Sequence, residues 1–288
     1  MTGDGRPAAP LGLATAMYVH ESGTPGSPSI VFLHGVGNSG GMWATHMDRL
    51  TSYHCLAPDL PGFGRSNRLS WRSRIDTADQ VARLIEARVP SGRAHIVGLS
   101  LGGSVVHTLL GRRPDLLERV VIDGCAALPW WGTALIKLGV AAISPFLHTG
   151  PVIGAIGRAW NLDEETKADL RAASPRAFWR GFSDANDTRI SPEEVRAPNP
   201  TLLVAGEREV KPPVRASNAA LAALMPHAVA QFAQGLGHGW LGQEPDLHLR
   251  MVEAWLAGED LPSELHPETT RWDRSTVERL LGNHMGRS

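Results

Sequence analysis

Chemistry is most concentrated in the run Gly98-Leu99-Ser100-Leu101-Gly102-Gly103. It follows an apolar run, Ala94–Gly98, and opens a helical pattern in which Val105, Val106, Leu109 and Leu110 share one face. A serine at a sharp strand-to-helix turn is held in a strained backbone conformation with its hydroxyl presented. Such a turn leaves no room for bulk two residues before or two residues after the serine, and Gly98 and Gly102 stand there. The first amides of the following helix face developing negative charge. Ser100 is therefore the candidate nucleophile for acyl transfer.

Acyl transfer also needs two N–H donors aimed at an oxyanion, one of them from the residue after the nucleophile. Leu101 supplies that one. Val36, in the loop Leu33-His34-Gly35-Val36-Gly37, is the candidate for the second. His34 is read as shaping this loop by hydrogen bonding. The general base has to reach the serine from another strand end, which calls for a loop histidine. Among twelve histidines, His238 in Gly235-Leu236-Gly237-His238-Gly239-Trp240 fits. His46, His107 and His248 fall in helical patterns and read as ordinary. The third group holds the imidazole and stabilises its cation. Glu209, in Gly206-Glu207-Arg208-Glu209-Val210-Lys211-Pro212, is best placed by spacing, and Asp123 at the end of an earlier strand is its rival.

These loops need a frame. Short apolar runs at Ser29–His34, His54–Asp59, Ala94–Gly98, Arg119–Asp123, Thr201–Gly206 and Ala228–Phe232 alternate with helical patterns. That is the look of a parallel sheet covered by helices. Residues from Thr15 to His20, with the Gly- and Pro-rich stretch after them, suggest an antiparallel hairpin in front. The rhythm breaks between Leu128 and Val195, where a helical lid is expected, with a polar helix at Asp163–Ala173. Trp272, Thr276, Leu280 and Leu281 suggest a short terminal helix.

Composition narrows the class. The 288 residues are 42% hydrophobic and 20% charged, with a net charge of -1. Such a chain has no electrostatic reason to seek nucleic acid or anionic lipid. Cys55 and Cys125 read as buried thiols, and no metal-ligand spacing appears. No stretch reaches about 18 uninterrupted apolar residues. The chain reads as cytoplasmic, without membrane, cofactor or metal, and with a small molecule as its partner.

Together these motifs resemble the α/β-hydrolase superfamily, in the serine-nucleophile branch with a helical cap. The family's HG-x-G loop corresponds to His34–Gly37, its D-x-x-G-x-G-x-S loop to Asp59–Ser66, its nucleophile elbow to Gly98–Gly102, and its histidine loop to His238 with Pro245-Asp246. The likeness runs from Ser29 to Leu256 apart from the cap. It departs at the acid, where Gly-x-x-Asp becomes Gly206-x-x-Glu209. The resemblance implies a mostly parallel eight-stranded sheet flanked by helices, a core at 1–127 and 196–288, and a cap at 128–195 before the acid-bearing strand. It implies esterase-like hydrolysis, with lactone, thioester or C–C bond cleavage by the same triad, or a non-catalytic receptor, as alternatives. Trp130, Trp131, Leu135, Ile136, Phe146, Phe178 and Trp179 from the cap, with His34, Met42, Trp43 and Trp240, are the candidates for a pocket over Ser100.

Overall fold

The computed structural model describes residues 17–128, 130–160, 163–209 and 213–269, together with Ser275 and Val277. The expected terminal helix around Trp272 and part of the expected hairpin at Thr15 lie outside the described residues.

Side-chain alternation along the central strands divides the core in two. In β2 (Ser29–Leu33), Val31 and Leu33 join one buried cluster while Ile30 and Phe32 join the other. In β5 (Leu117–Asp123), Val120 and Ile122 face one way and Val121 the other. In β6 (Thr201–Arg208), Leu203 opposes Leu202 and Val204. Both faces are apolar, so both must be covered. Helices α2 (Arg74–Arg88), α3 (Leu101–Arg112) and α9 (Pro213–Leu224) bury side chains in the first cluster, and α11 (Pro245–Ala257) does so in the second. Each fully buried Val, Leu, Ile or Phe contributes roughly 1.5–3 kcal/mol.

The sheet has eight strands, ordered β1-β3-β2-β4-β5-β6-β7-β8, where β1 is Val19–Ser22, β3 His54–Pro58, β4 Ala94–Leu99, β7 Ala228–Gly237 and β8 Leu265–Pro267. The central six run parallel, and β1 and β8 pair antiparallel at the edges. From β2 the chain winds outward to β3, then crosses to β4 on the other side. Ligands of open parallel sheets bind outside the strand ends at such a reversal. The loop after β2 carries His34–Gly37, and the turn after β4 carries Ser100.

One expectation about the strands is corrected. The first strand is antiparallel, but its partner is β3, with Val19 opposite Pro58, and no hairpin joins it to β2. The three-residue β8 has no signal in its own sequence and pairs with Gln231–Ala233 on the free edge of β7.

Between β5 and β6 lie only helices among the described residues: α4 (Thr133–Ile143), α5 (Gly150–Trp160), α6 (Glu164–Ala172), α7 (Pro175–Asn186) and the single turn α8 (Pro192–Val195). Asp163 caps α6 through its side chain, and Ser174 caps α7 ahead of Pro175 at its first turn. Ala177, Phe178, Gly181, Phe182 and Ala185 form the buried stripe of α7, at helical spacing. Helix α4 differs. It is mostly apolar but packs on α7 along one side, so none of its residues is buried. Leu135 and Leu138 are exposed there, as is Phe146 just beyond it.

Candidate active site

Ser100 has φ 53° and ψ -104°, and among the described residues no other non-glycine has positive φ. The strain is locked in from both sides. The Ser100 N–H donates to the Asp123 carbonyl at 2.8 Å, and the Gly102 N–H donates to the His34 carbonyl at 3.0 Å. The flanking glycines are required by contact. A Cβ at Gly98 would lie 2.7 Å from the Gly102 carbonyl, and one at Gly102 would lie 2.2 Å from the Leu33 carbonyl oxygen. Leu101 is the first residue of α3, so its N–H has no acceptor within the helix.

The β2 loop lies beside the serine, since a Cβ at Gly35 would stand 3.7 Å from Ser100 Cβ. Both ring nitrogens of His34 are taken up by backbone. Nδ1 donates to the Gly35 carbonyl at 2.8 Å, and Nε2 accepts from the Leu60 N–H at 2.9 Å. Burial pulls its pKa down to about 4, so the ring is neutral and shapes the loop. Asp59 does similar work next door: Oδ1 accepts from Gly40 N–H at 2.7 Å and Oδ2 from Arg65 N–H at 2.6 Å.

His238 lies at the end of β7. Its Nδ1 is 2.8 Å from Glu209 Oε2, at the end of β6. A carboxylate only accepts, so Nδ1 carries the proton and Nε2 is left with a lone pair. The Glu209 side chain is 3% exposed and the His238 side chain 34%. Gly124, one residue past β5 with φ +61°, lies against this pair: its Cβ would sit 2.9 Å from His238 Cε1 and 3.5 Å from Glu209 Oε1. Gly124 was not among the sequence candidates, and the Asp123-Gly124 turn after an apolar strand was the available signal.

Asp123, the rival acid, is turned elsewhere. It is fully buried, and its Oδ1 accepts from Trp240 Nε1 at 3.1 Å. Its Oδ2 lies 3.4 Å from His248 Nε2.

Of the pocket candidates, Phe178 reaches the site. Its ring and Leu170 lie 3.1 and 2.9 Å from where a Gly37 Cβ would be, so α6 and α7 rest directly on the β2 loop. Gly181 brings α7 equally close to the Leu101 side chain, at 3.0 Å on the same measure. Ser100 is 9% exposed beneath this cover. Trp179 is half-buried on α7, and Trp130 is half-buried with its ring 5.4 Å from that of Trp131. Four candidates are corrected. Trp131 is 86% exposed, because it precedes the outward-facing α4. Trp43 and Trp240 are fully buried in the second core cluster, since each belongs to a helical turn that covers the sheet. His34 likewise has no ring nitrogen free for substrate.

A mostly parallel sheet, a strained serine between strand and helix, and an acid–histidine pair later in the chain define the α/β class of enzymes built on a nucleophile elbow. The chain belongs to the alpha/beta hydrolase family, whose model matches residues 30–249. It is 26% identical over 264 residues to an AB hydrolase superfamily protein of Gibberella zeae, covering 84% of this chain and 85% of that one. It is 27% identical over 221 residues to a pimeloyl-acyl-carrier-protein methyl ester esterase of Nitrosomonas europaea, covering 69% and 84%. A thermophilic esterase from Thermogutta terrifontis matches in structure with a TM-score of 0.70 at 19% identity, over 84% of this chain and 93% of that one. At that identity the structural likeness speaks for the fold alone. No helix among the described residues is long and apolar enough to cross a membrane.

Proposed function

We propose that this chain is a serine hydrolase that cleaves a small, mostly apolar carboxylic ester through an acyl-enzyme on Ser100. One observation carries the reading. The Asp123-Gly124 turn holds the serine by a backbone hydrogen bond and lies under an imidazole already paired with Glu209. Ser100 and the His238–Glu209 pair thus both adjoin the end of β5, which supports the reading.

In this reading His238 Nε2 takes the proton as Ser100 Oγ attacks the ester carbonyl. Val36 and Leu101 N–H groups receive the tetrahedral oxyanion. The imidazolium, stabilised by Glu209, gives its proton to the leaving alkoxide. Water, deprotonated by His238, then attacks the acyl-enzyme and releases the acid. The side chains supply every proton transfer, so the scheme uses no cofactor or metal. The apolar preference rests on Phe178 and Leu170, which lie over the oxyanion loop. The Nitrosomonas europaea relative is named for a methyl ester, which shares the carboxylic ester bond though it is borne on an acyl-carrier protein.

The test is hydrolysis of p-nitrophenyl acetate with Ser100→Ala beside wild type. Loss of the nucleophile lowers turnover by about six orders of magnitude on serine-protease precedent. A fluorophosphonate probe should label the wild type stoichiometrically and leave the variant unlabelled. Turnover by Ser100→Ala near the wild-type rate would remove Ser100 from the mechanism.

A further inference from the structure

Beneath the histidine loop lies a buried polar chain that the mechanism above does not use. Trp240 Nε1 donates to Asp123 Oδ1 at 3.1 Å. Asp123 Oδ2 faces His248 Nε2 at 3.4 Å, and His248 Nδ1 faces His46 Nε2 at 2.9 Å. All four side chains are buried, at 2% exposure or less. Trp43 and Trp240 enclose the imidazoles, with ring centroids 5.9 and 4.7 Å from that of His248.

Asp123 Oδ2 and His248 Nε2 each have no hydrogen-bond partner among the described residues. They face one another. An unsatisfied buried polar atom costs about 1–3 kcal/mol, so two such atoms in contact call for a shared proton. Placing that proton fixes the whole chain. If Asp123 carries it, Oδ2–H donates to His248 Nε2, and His248 Nδ1–H donates to His46 Nε2. Every ring is then neutral and every contact has one donor and one acceptor; with the proton on His248 instead, the contacts pair equally well but Asp123 is left as a buried charge, which is the costlier arrangement.

Asp123 also lies between the two halves of the proposed machinery. Its carbonyl oxygen accepts the Ser100 N–H at 2.8 Å. Its carboxyl holds Trp240, two residues after His238. Resting on the hydrolase reading above, we propose that Asp123 is a positioning residue which, as a neutral carboxylic acid joined to His248, fixes the His238 loop in register with Ser100. Its task is to aim the base, and the negative charge of the triad is left to Glu209.

Electrostatics agree with the geometry. Burial pushes the Asp123 carboxyl up to about 8, with Glu209 adding to the rise while Trp240 and His238 oppose it. Burial takes His248 down to about 3. Burial, helped by His248 and Arg49, takes His46 to about 3. Burial thus shifts all three groups toward their uncharged forms.

Asparagine tests the idea directly. In Asp123→Asn the amide oxygen still accepts from Trp240, and the amide N–H donates to His248 as the acid O–H would. This variant should keep kcat within about threefold of wild type, with an unchanged pH profile, and should melt within about 3 °C of it. Asp123→Ala should lose at least tenfold in kcat with little change in KM, because the base is misaimed while the substrate contacts stay. Trp240→Phe removes one end of the chain, and its kcat loss should not add to that of Asp123→Ala in a double-mutant cycle. An asparagine variant as impaired as alanine, in kcat or in melting, overturns the proposal, since a charged carboxylate would then be needed. Additive losses in the cycle overturn it too. The melting comparison needs no turnover: if the wild type itself fails to label with fluorophosphonate, the hydrolase reading falls, while equal melting of wild type and Asp123→Asn still supports the neutral chain.

Discussion

At the scale of the residue, the feature that departs from the commoner family pattern is glutamate in place of aspartate at 209. The longer side chain still brings Oε2 to 2.8 Å from His238 Nδ1. In the proposed mechanism the carboxylate contributes charge opposite an imidazolium and control of its tautomer. Glu209→Gln keeps the shape and removes both, and on serine-protease precedent kcat should fall by about four orders of magnitude. Glu209→Asp keeps the charge but withdraws it by one methylene. A misplacement of about 1 Å costs on the order of a hundredfold, so the aspartate variant should lie between. Measuring kcat/KM for the pair checks this, and a glutamine variant as active as wild type would return the acid's role to another group. Ser100 and His238 stand out as candidates in the sequence because glycines flank each of them, whereas the acid stays between Glu209 and Asp123, since both lie at strand ends. The companions of Asp123 are not legible there. Trp240 lies 117 residues away along the chain, and His46 and His248 are 202 apart. Nothing local announces such pairs, so the two histidines read as ordinary helical residues.

At the scale of the element, the site depends on how closely strand ends and loops approach. Gly124 is the tightest case near the base. A side chain there would need φ +61° and would place Cβ 2.9 Å from His238 Cε1 and 3.0 Å from its Nδ1. Gly124→Ala should therefore push the ring away from Glu209, lowering kcat about a hundredfold and costing about 1–3 kcal/mol of stability. Gly139 makes the contrast. It lies within α4, where a Cβ would meet nothing within 4 Å. Gly139→Ala should leave activity alone and raise stability by about 0.5–1 kcal/mol, since alanine restricts the unfolded chain. Thermal melts of the two variants, with esterase assays, separate a glycine needed for contact from one that is not; equal effects would refute the distinction. The central strands were readable because each is a short apolar run between turns. The orientation of α4 was not, because its mostly apolar sequence does not say that large side chains such as Leu135 and Leu138 face outward while Lys137 turns to Asp187 at the end of α7.

At the scale of the whole molecule, the helices between β5 and β6 are tied to the sheet core by more than the apolar stripe of α7. His107, on α3, is hydrogen-bonded through Nδ1 to Glu194 on α8, just before the chain enters β6. Both side chains are buried. Glu194 also closes the capping box of α8 with Ser191, so one carboxylate anchors the helical turn and joins it to α3. Burial alone would pull the His107 imidazole down. The Glu194 carboxylate, with the Cys125 thiol assisting, overrides it and carries the imidazole up to about 10, from an ordinary value of 6.5. The folded state thus binds this proton more tightly than the unfolded chain does. Its stabilisation is fully present below about pH 6.5, and is lost progressively as pH rises from there through about 10. Breaking such a buried pair by removing one partner costs about 3–5 kcal/mol. His107→Gln should consequently melt well below wild type at pH 6, and the gap between the two should narrow steadily as the pH is raised to 10. The comparison isolates this pair, because the buried His34, His46 and His248 and the acid Asp123 titrate in both proteins alike. A gap that stays constant from pH 6 to pH 10 would mean that the link between α8 and α3 carries no net proton, and that packing alone holds the helices between β5 and β6 against the sheet.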